Sequence, residues 1–291
     1  MKRAAVILGI VSFAVWAAAS SSAQTAQNPP AAGQAAPAAG TTAAPAAKRP
    51  PQAKTQPEFD AYNAAAANKT DPAALEKAAD DFATKFPDSE LRILLYQNAM
   101  RLYQSANNFE KMEAMGRKVL TFDGDNPEAL VMVAEVIAER TRDSDIDKDQ
   151  RLGEAATMAK KATETVDTDV QVPAGTPQEK IDAYKSYLRS SAYSSLGTIE
   201  FKKENYPAAQ DFLQKSIDAF PSSPDPAVVL RLALALDKQQ KYPEALKVAN
   251  RAVDISKDIP AILTPAQRER DRLQQLTGGA APAQPQSPPK N

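Results

Sequence analysis

From residue 57 to about residue 276 the apolar positions recur at helical spacing, in short segments separated by polar or proline-marked breaks. Phe59 and Tyr62 mark a first helix. Asp71-Pro72 supplies a helix cap with proline in the first turn, Leu75, Ala78, Ala79 and Phe82 follow on one face, and Phe86-Pro87 closes the segment. Leu94, Leu95, Ala99, Leu102 and Tyr103 lie on one side of a helix predicted over 91–103. Met112, Met115, Gly116, Val119 and Leu120 do the same over 109–122. Asn126-Pro127 opens another helix, carrying Leu130, Val133, Ala134, Val136 and Ile137. Its partner is predicted over 152–166, with Ala155, Ala159 and Ala162 in register. Thr176-Pro177-Gln178-Glu179 reads as a capping box for a long helix reaching about residue 204. Tyr184, Tyr187, Leu188, Ser191 and Tyr193 lie along it and read as groove and core packing. A last hairpin is predicted over 224–237 and 242–256. Thr264-Pro265-Ala266-Gln267 reads as a second capping box, opening a charged terminal helix that ends at Gly278.

One stretch of this series carries more than periodicity. Tyr193 is followed by Leu196-Gly197, Phe201, Tyr206, Ala209, Leu213 and Pro221. Glycine and alanine at these intervals let two helix backbones approach, the larger residues fill the groove between them, and proline ends the second helix. The spacing resembles a tetratricopeptide repeat, a helix–turn–helix unit of about 34 residues. Glu200 and Leu213 depart from the usual aromatics, with Phe201 one position on. Tyr242, Ala245, Ala249 and Ala252 repeat the spacing of Tyr206, Ala209, Leu213 and Ser216, and Leu232-Ala233 stands for Leu-Gly. Phe86-Pro87-Asp88-Ser89 before Leu91 resembles the inter-repeat turns of envelope repeat proteins such as the outer-membrane assembly lipoproteins and the cell-division coordinator family.

The resemblance implies an all-α fold: a TPR-like α-solenoid of about five antiparallel helix hairpins with a C-terminal capping helix. It implies that the first helices line a concave face that binds an extended or helical peptide. The residues it places on that face are Gln97, Arg101 and Gln104; Val131 and Glu135; Ser194, Thr198, Phe201 and Lys202; and Leu234 and Lys238. Phe201 and Lys202 together would offer an apolar platform beside a cation.

The ends differ from the middle. Lys2 and Arg3, an apolar run over 4–19 and Ser21-Ser22-Ala23 have the pattern of a secretory signal over 1–23, with an uncleaved anchor as the alternative. Residues 24–56 are rich in Ala, Pro, Gln and Thr and are expected to be a disordered linker; 277–291 are expected to be a disordered tail. The expected setting is therefore the periplasm or beyond, with no integral span once the signal is removed and an unidentified envelope protein or peptide as partner.

Composition narrows the chemistry. Without a single Cys or His, the chain has no thiol nucleophile, disulfide, Ser-His-Asp triad or His- or Cys-bound zinc. A net charge of −1 and a pI near 5.8 argue against nucleic acid as partner. No cofactor is expected. The pattern nearest to a metal site is Asp143, Asp145, Asp147 and Glu154, spaced like a calcium loop but with Lys148 where the turn glycine belongs. It lies in a connection read as extending from Arg140 to Arg151. Two minor alternatives to a non-catalytic scaffold thus remain: a carboxylate-dependent glycan hydrolase, and a calcium- or solute-binding module using residues 143–154.

Overall fold

The computed structural model describes residues 48–172 and 175–278. The predicted signal, most of the predicted linker and nearly all of the predicted tail lie outside the described residues. The described chain is helical throughout and forms α1 (Gln56–Ala66), α2 (Pro72–Lys85), α3 (Arg92–Ser105), α4 (Phe109–Phe122), α5 (Pro127–Arg140), α6 (Lys148–Thr165), α7 (Gln178–Lys202), α8 (Tyr206–Ala219), α9 (Pro226–Lys238), α10 (Tyr242–Ile255) and α11 (Pro260–Thr277). Successive helices pair as five antiparallel hairpins, and α11 packs on α10 to close the stack. First helices also touch one another, α1 with α3, α5 with α7, α7 with α9 and α9 with α11. The second helices α4, α6, α8 and α10 make no comparable contacts among themselves. The row of first helices is therefore the tighter, inner side of the solenoid.

Small residues set the helix separations where the pattern placed them. A Cβ on Gly197 would lie 2.6 Å from Leu213 Cγ, and one on Gly116 would lie 2.5 Å from Val133 Cγ2. Leu213, Val119, Ala155, Ala159, Ala245 and Ala249 are wholly buried beside them, and the apolar core runs on from hairpin to hairpin. Three of the intra-hairpin turns share one design. Asn107, Glu204 and Gln240 each adopt a left-handed conformation, at φ 55°, 61° and 61°, two residues before the next helix begins. In each turn the following N–H reaches back to a carbonyl five residues earlier: Asn108 to Tyr103, Asn205 to Glu200 and Lys241 to Leu236. These are Schellman-type stops built without glycine.

Four boundaries differ from the sequence expectation. Helix α6 starts at Lys148, so the preceding connection is only residues 141–147. Arg151 N already donates to Asp147 O, and Asp149 sits favourably in the first turn, before any apolar residue appears. Pro177, expected inside the first turn of α7, is its cap, because its carbonyl accepts from Lys180 N and Ile181 N. Helix α11 begins at Pro260, not near Thr264, since burial of Ile262 in line with Ala266 and Leu273 draws the earlier turn into the helix. Pro265 is then interior, and the bond it forgoes is at the exposed turn of Ala261.

The fourth difference is at the N-terminal edge. Residues 48–55, assigned to the linker by composition, lie against the body. Lys48 N donates to Thr168 O (2.9 Å), Lys48 Nζ pairs with the buried Asp123, Arg49 pairs with Glu90, and Lys54 Nζ donates to Asp88 O (2.8 Å). These partners stand on the connections joining α2 to α3, α4 to α5 and α6 to α7, so the strap ties successive hairpins together. No described helix is long and apolar enough to cross a membrane.

Candidate interaction groove

The inner faces of α3, α5, α7 and α9 are polar stripes on otherwise buried helices. Residues spaced by three, four or seven share a helix face. Gln97, Arg101 and Gln104 thus share one face of α3; Glu128, Glu135 and Glu139 one face of α5; Tyr187, Ser191, Ser194 and Thr198 one face of α7; and Arg231 and Lys238 one face of α9.

Ion pairs bridge the stripes. Arg101 Nε and Nη2 donate to the two oxygens of Glu128, the second at 2.6 Å. Gln97 Nε2 donates to Glu128 Oε2 (3.2 Å) and to Asn126 Oδ1 (3.3 Å). The Glu128 carboxylate raises the affinity of Arg101 for its proton, and burial pushes the Tyr184 hydroxyl well above its ordinary range. Arg231 pairs with Glu139 (2.9 Å) and donates to Thr198 Oγ1 (2.7 Å). Lys202 Nζ donates to Glu139 O and Thr141 O, both at 2.8 Å, so it caps the C-terminal end of α5. Burial lowers its pKa, partly offset by Glu139.

The centre of the groove is Glu135. It makes no hydrogen bond or ion pair among the described residues, and its carboxylate is crowded by protein while still meeting solvent. Desolvation, reinforced by Glu139 and Asp225 and opposed by Arg231, pushes its pKa up to about 7. Burial raises Asp225 as well, against the pull of the Ala227 N–H it accepts. Burial and the Glu135 charge push Tyr187 up to about 12.

The sequence-derived candidates divide on this geometry. Thr198 and Lys202 meet Glu139 and Arg231 in one cluster, while Gln97 and Arg101 meet Glu128 in another. Gln104 and Ser194 are half-buried and Lys238 is exposed. Val131 is a core residue, and Leu234 packs against the C-terminal core. The expected Phe201–Lys202 platform does not form: Phe201 packs against that core and meets Tyr206 edge-on at 5.4 Å, while Lys202 is committed to α5. Glu128, Glu139, Asp225 and Arg231 were not among the candidates. The signal for two of them was present, as acidic residues seven and eleven apart on a helix that is otherwise apolar.

The acidic connection is tied up structurally. Lys148 pairs with Asp143 (2.9 Å), Glu154 pairs with Arg117 (2.5 Å), and Asp145 accepts from Arg142 N (2.8 Å). Among the described residues no group of three acidic side chains is placed to hold a metal ion. The calcium spacing fails because α6 begins at Lys148, where a calcium loop needs the sharp turn that glycine allows.

The chain matches no protein-family model and no curated protein. Solved helical-repeat structures resemble it at low identity. A thermophilic TPR protein of Thermus thermophilus, TTC0263, is 12% identical, with a TM-score of 0.44, over 73% of this chain and 98% of that one. A chain of the APC/C hetero-tetramer Cut9–Hcn1 is 14% identical, with a TM-score of 0.32, over 74% of this chain and 45% of that one. Acl4, an assembly chaperone of RpL4, is 14% identical, with a TM-score of 0.31, over 71% of this chain and 98% of that one. The assignment rests on the molecule's own features: antiparallel hairpins, first helices touching along one row, Gly197 against Leu213, and a recurring left-handed turn. By architecture, the chain is a tetratricopeptide-like α-solenoid.

Proposed function

We propose that the protein is a non-catalytic adaptor that holds a segment of a partner protein along the inner row of first helices. The observation that carries this reading is the α5–α7–α9 face, where the polar side chains of Glu135, Tyr187, Ser191, Ser194 and Arg231 stay half-buried with no further described helix packed over them. Such solenoids ordinarily serve as scaffolds for other proteins. We further propose that the adaptor works in the bacterial envelope, on the strength of the secretory pattern in residues 1–23.

Ser194→Arg places a long cation in the groove without removing a core contact; Lys215→Glu alters the outer surface of α8. The full chain and both variants would be crosslinked in cells and recovered under denaturing conditions. A partner retained by Lys215→Glu and lost by Ser194→Arg supports the groove. A partner lost only by Lys215→Glu moves the interface to the outer row and overturns the proposal.

A further inference from the structure

The charges of the groove are almost completely paired with one another. Arg101 holds Glu128, Arg231 holds Glu139 and Thr198, and Lys202 caps α5. Asp225 accepts the Ala227 N–H at the start of α9. Glu135 is the remainder: a carboxylate with neither hydrogen bond nor ion pair among the described residues, at the middle of the inner face of α5 and still reached by solvent. The Tyr184 Oη is buried beside the Arg101–Glu128 pair, one turn from Tyr187 on α7, and belongs to that pair's cluster.

We propose that Glu135 is the receptor for a Lys or Arg side chain of a partner segment lying in the groove. This inference rests on the groove reading and specifies the chemistry of what enters it. A cation at Glu135 satisfies the free carboxylate and also relieves its repulsion with Glu139 and Asp225. An anion there meets three carboxylates, and an apolar side chain leaves the charge desolvated and unpaired. The chain's own outlying segments offer few cations to this site. Outside the described residues the only cationic side chains are Lys2, Arg3 and Lys290.

The same geometry makes binding pH-dependent. Glu135 is faced by Glu139 on its own helix, Tyr187 on α7, Asp225 at the cap of α9 and Arg231 on α9. Its carboxylate ionises near pH 7, so affinity for a cationic side chain rises between pH 6 and pH 8.

The test uses the full chain and an array of dodecapeptides of balanced composition, probed at both pH values. At pH 8 the wild type is expected to select peptides rich in Lys or Arg. Glu135→Gln is expected to bind those peptides roughly tenfold more weakly. Glu244→Gln, on the outer row, is expected to behave as wild type. At pH 6 the wild type is expected to approach Glu135→Gln. If Glu135→Gln binds basic peptides as tightly as the wild type, the inference is wrong. If Ser194→Arg blocks that binding nonetheless, the groove reading survives it; if neither substitution matters, both fail. A dimer of the wild type that dissociates in Glu135→Gln would assign the cation to a second copy of the chain and overturn the partner segment.

Discussion

Replacing Gly197 with Ala adds one methyl to α7 where it faces α8, and the structure says what that methyl meets. The new Cβ lies 2.6 Å from Leu213 Cγ, 2.7 Å from Leu213 Cδ2 and 3.2 Å from Leu213 N. Carbon atoms rest at about 3.5–4.0 Å, so the overlap is on the order of 1 Å. Leu213 is wholly buried and cannot rotate into solvent, and the close backbone nitrogen means that α8 itself must retreat. Overpacking of this kind costs about 1–3 kcal/mol, and an overlap this large belongs at the upper end. Alanine returns about 1 kcal/mol of helix propensity, leaving a net loss of about 2 kcal/mol. Gly153 is the internal control. It lies inside α6, and a Cβ there meets nothing within 4 Å, so Gly153→Ala stabilises by about 1 kcal/mol. Urea unfolding followed by far-ultraviolet circular dichroism measures both. A Gly197→Ala midpoint at or above that of the wild type, with Gly153→Ala raised as expected, would show that α7 and α8 do not pack this closely.

Other substitutions probe separate parts of the account. Glu135 has a folded pKa near 7, above the ordinary 4.5, so ionising it costs stability as pH rises through that window. Glu135→Gln should therefore match the wild type near pH 4.5 and exceed it by up to about 3 kcal/mol above pH 8, read as a growing difference in melting temperature. Glu204→Gly relieves a left-handed residue in the α7–α8 turn and should stabilise by about 0.5–1 kcal/mol; a loss of that size would contradict the turn geometry. Lys48→Ala leaves the Asp123 carboxylate buried without its ion pair and should cost about 1–2 kcal/mol in urea unfolding, whereas a neutral result would show that the strap is not seated. Lys202→Met frees two carbonyls at the end of α5 and should cost about 1 kcal/mol, with hydrogen exchange increasing over residues 137–141.

What could be read in the sequence was whatever repeats along one helix. Asp71-Pro72, Asn126-Pro127, Gly116 and Gly197 have local causes, a cap or a close approach, and the structure places them as expected. The left-handed turn residues escaped notice because Asn107, Glu204 and Gln240 carry no glycine signal; only their matching positions before the second helix reveal them. The groove was harder. Gln97, Arg101 and Thr198 lie on the expected face, but the helix pattern does not encode which partner each will find across the hairpins. Phe201 and Lys202 were misread for that reason: one answers to the α8–α9 core and the other to the carbonyls of α5, neither visible along α7 alone. The strap was misread because Ala- and Pro-rich composition hid two pairings made by Lys48 and Arg49 with distant loops.

The central claim is that the inner row of first helices, not the outer row, holds the partner. A photo-crosslinking amino acid placed singly at Gln104, Tyr187, Ser194 and Lys238 on the inner row, and at Lys111, Lys215 and Lys247 on the outer row, tests it most directly in the full chain in cells. The account predicts one protein adduct common to the inner positions, centred on Tyr187 and Ser194, and absent from the outer ones. Adducts of equal yield confined to Lys111, Lys215 and Lys247 would contradict it.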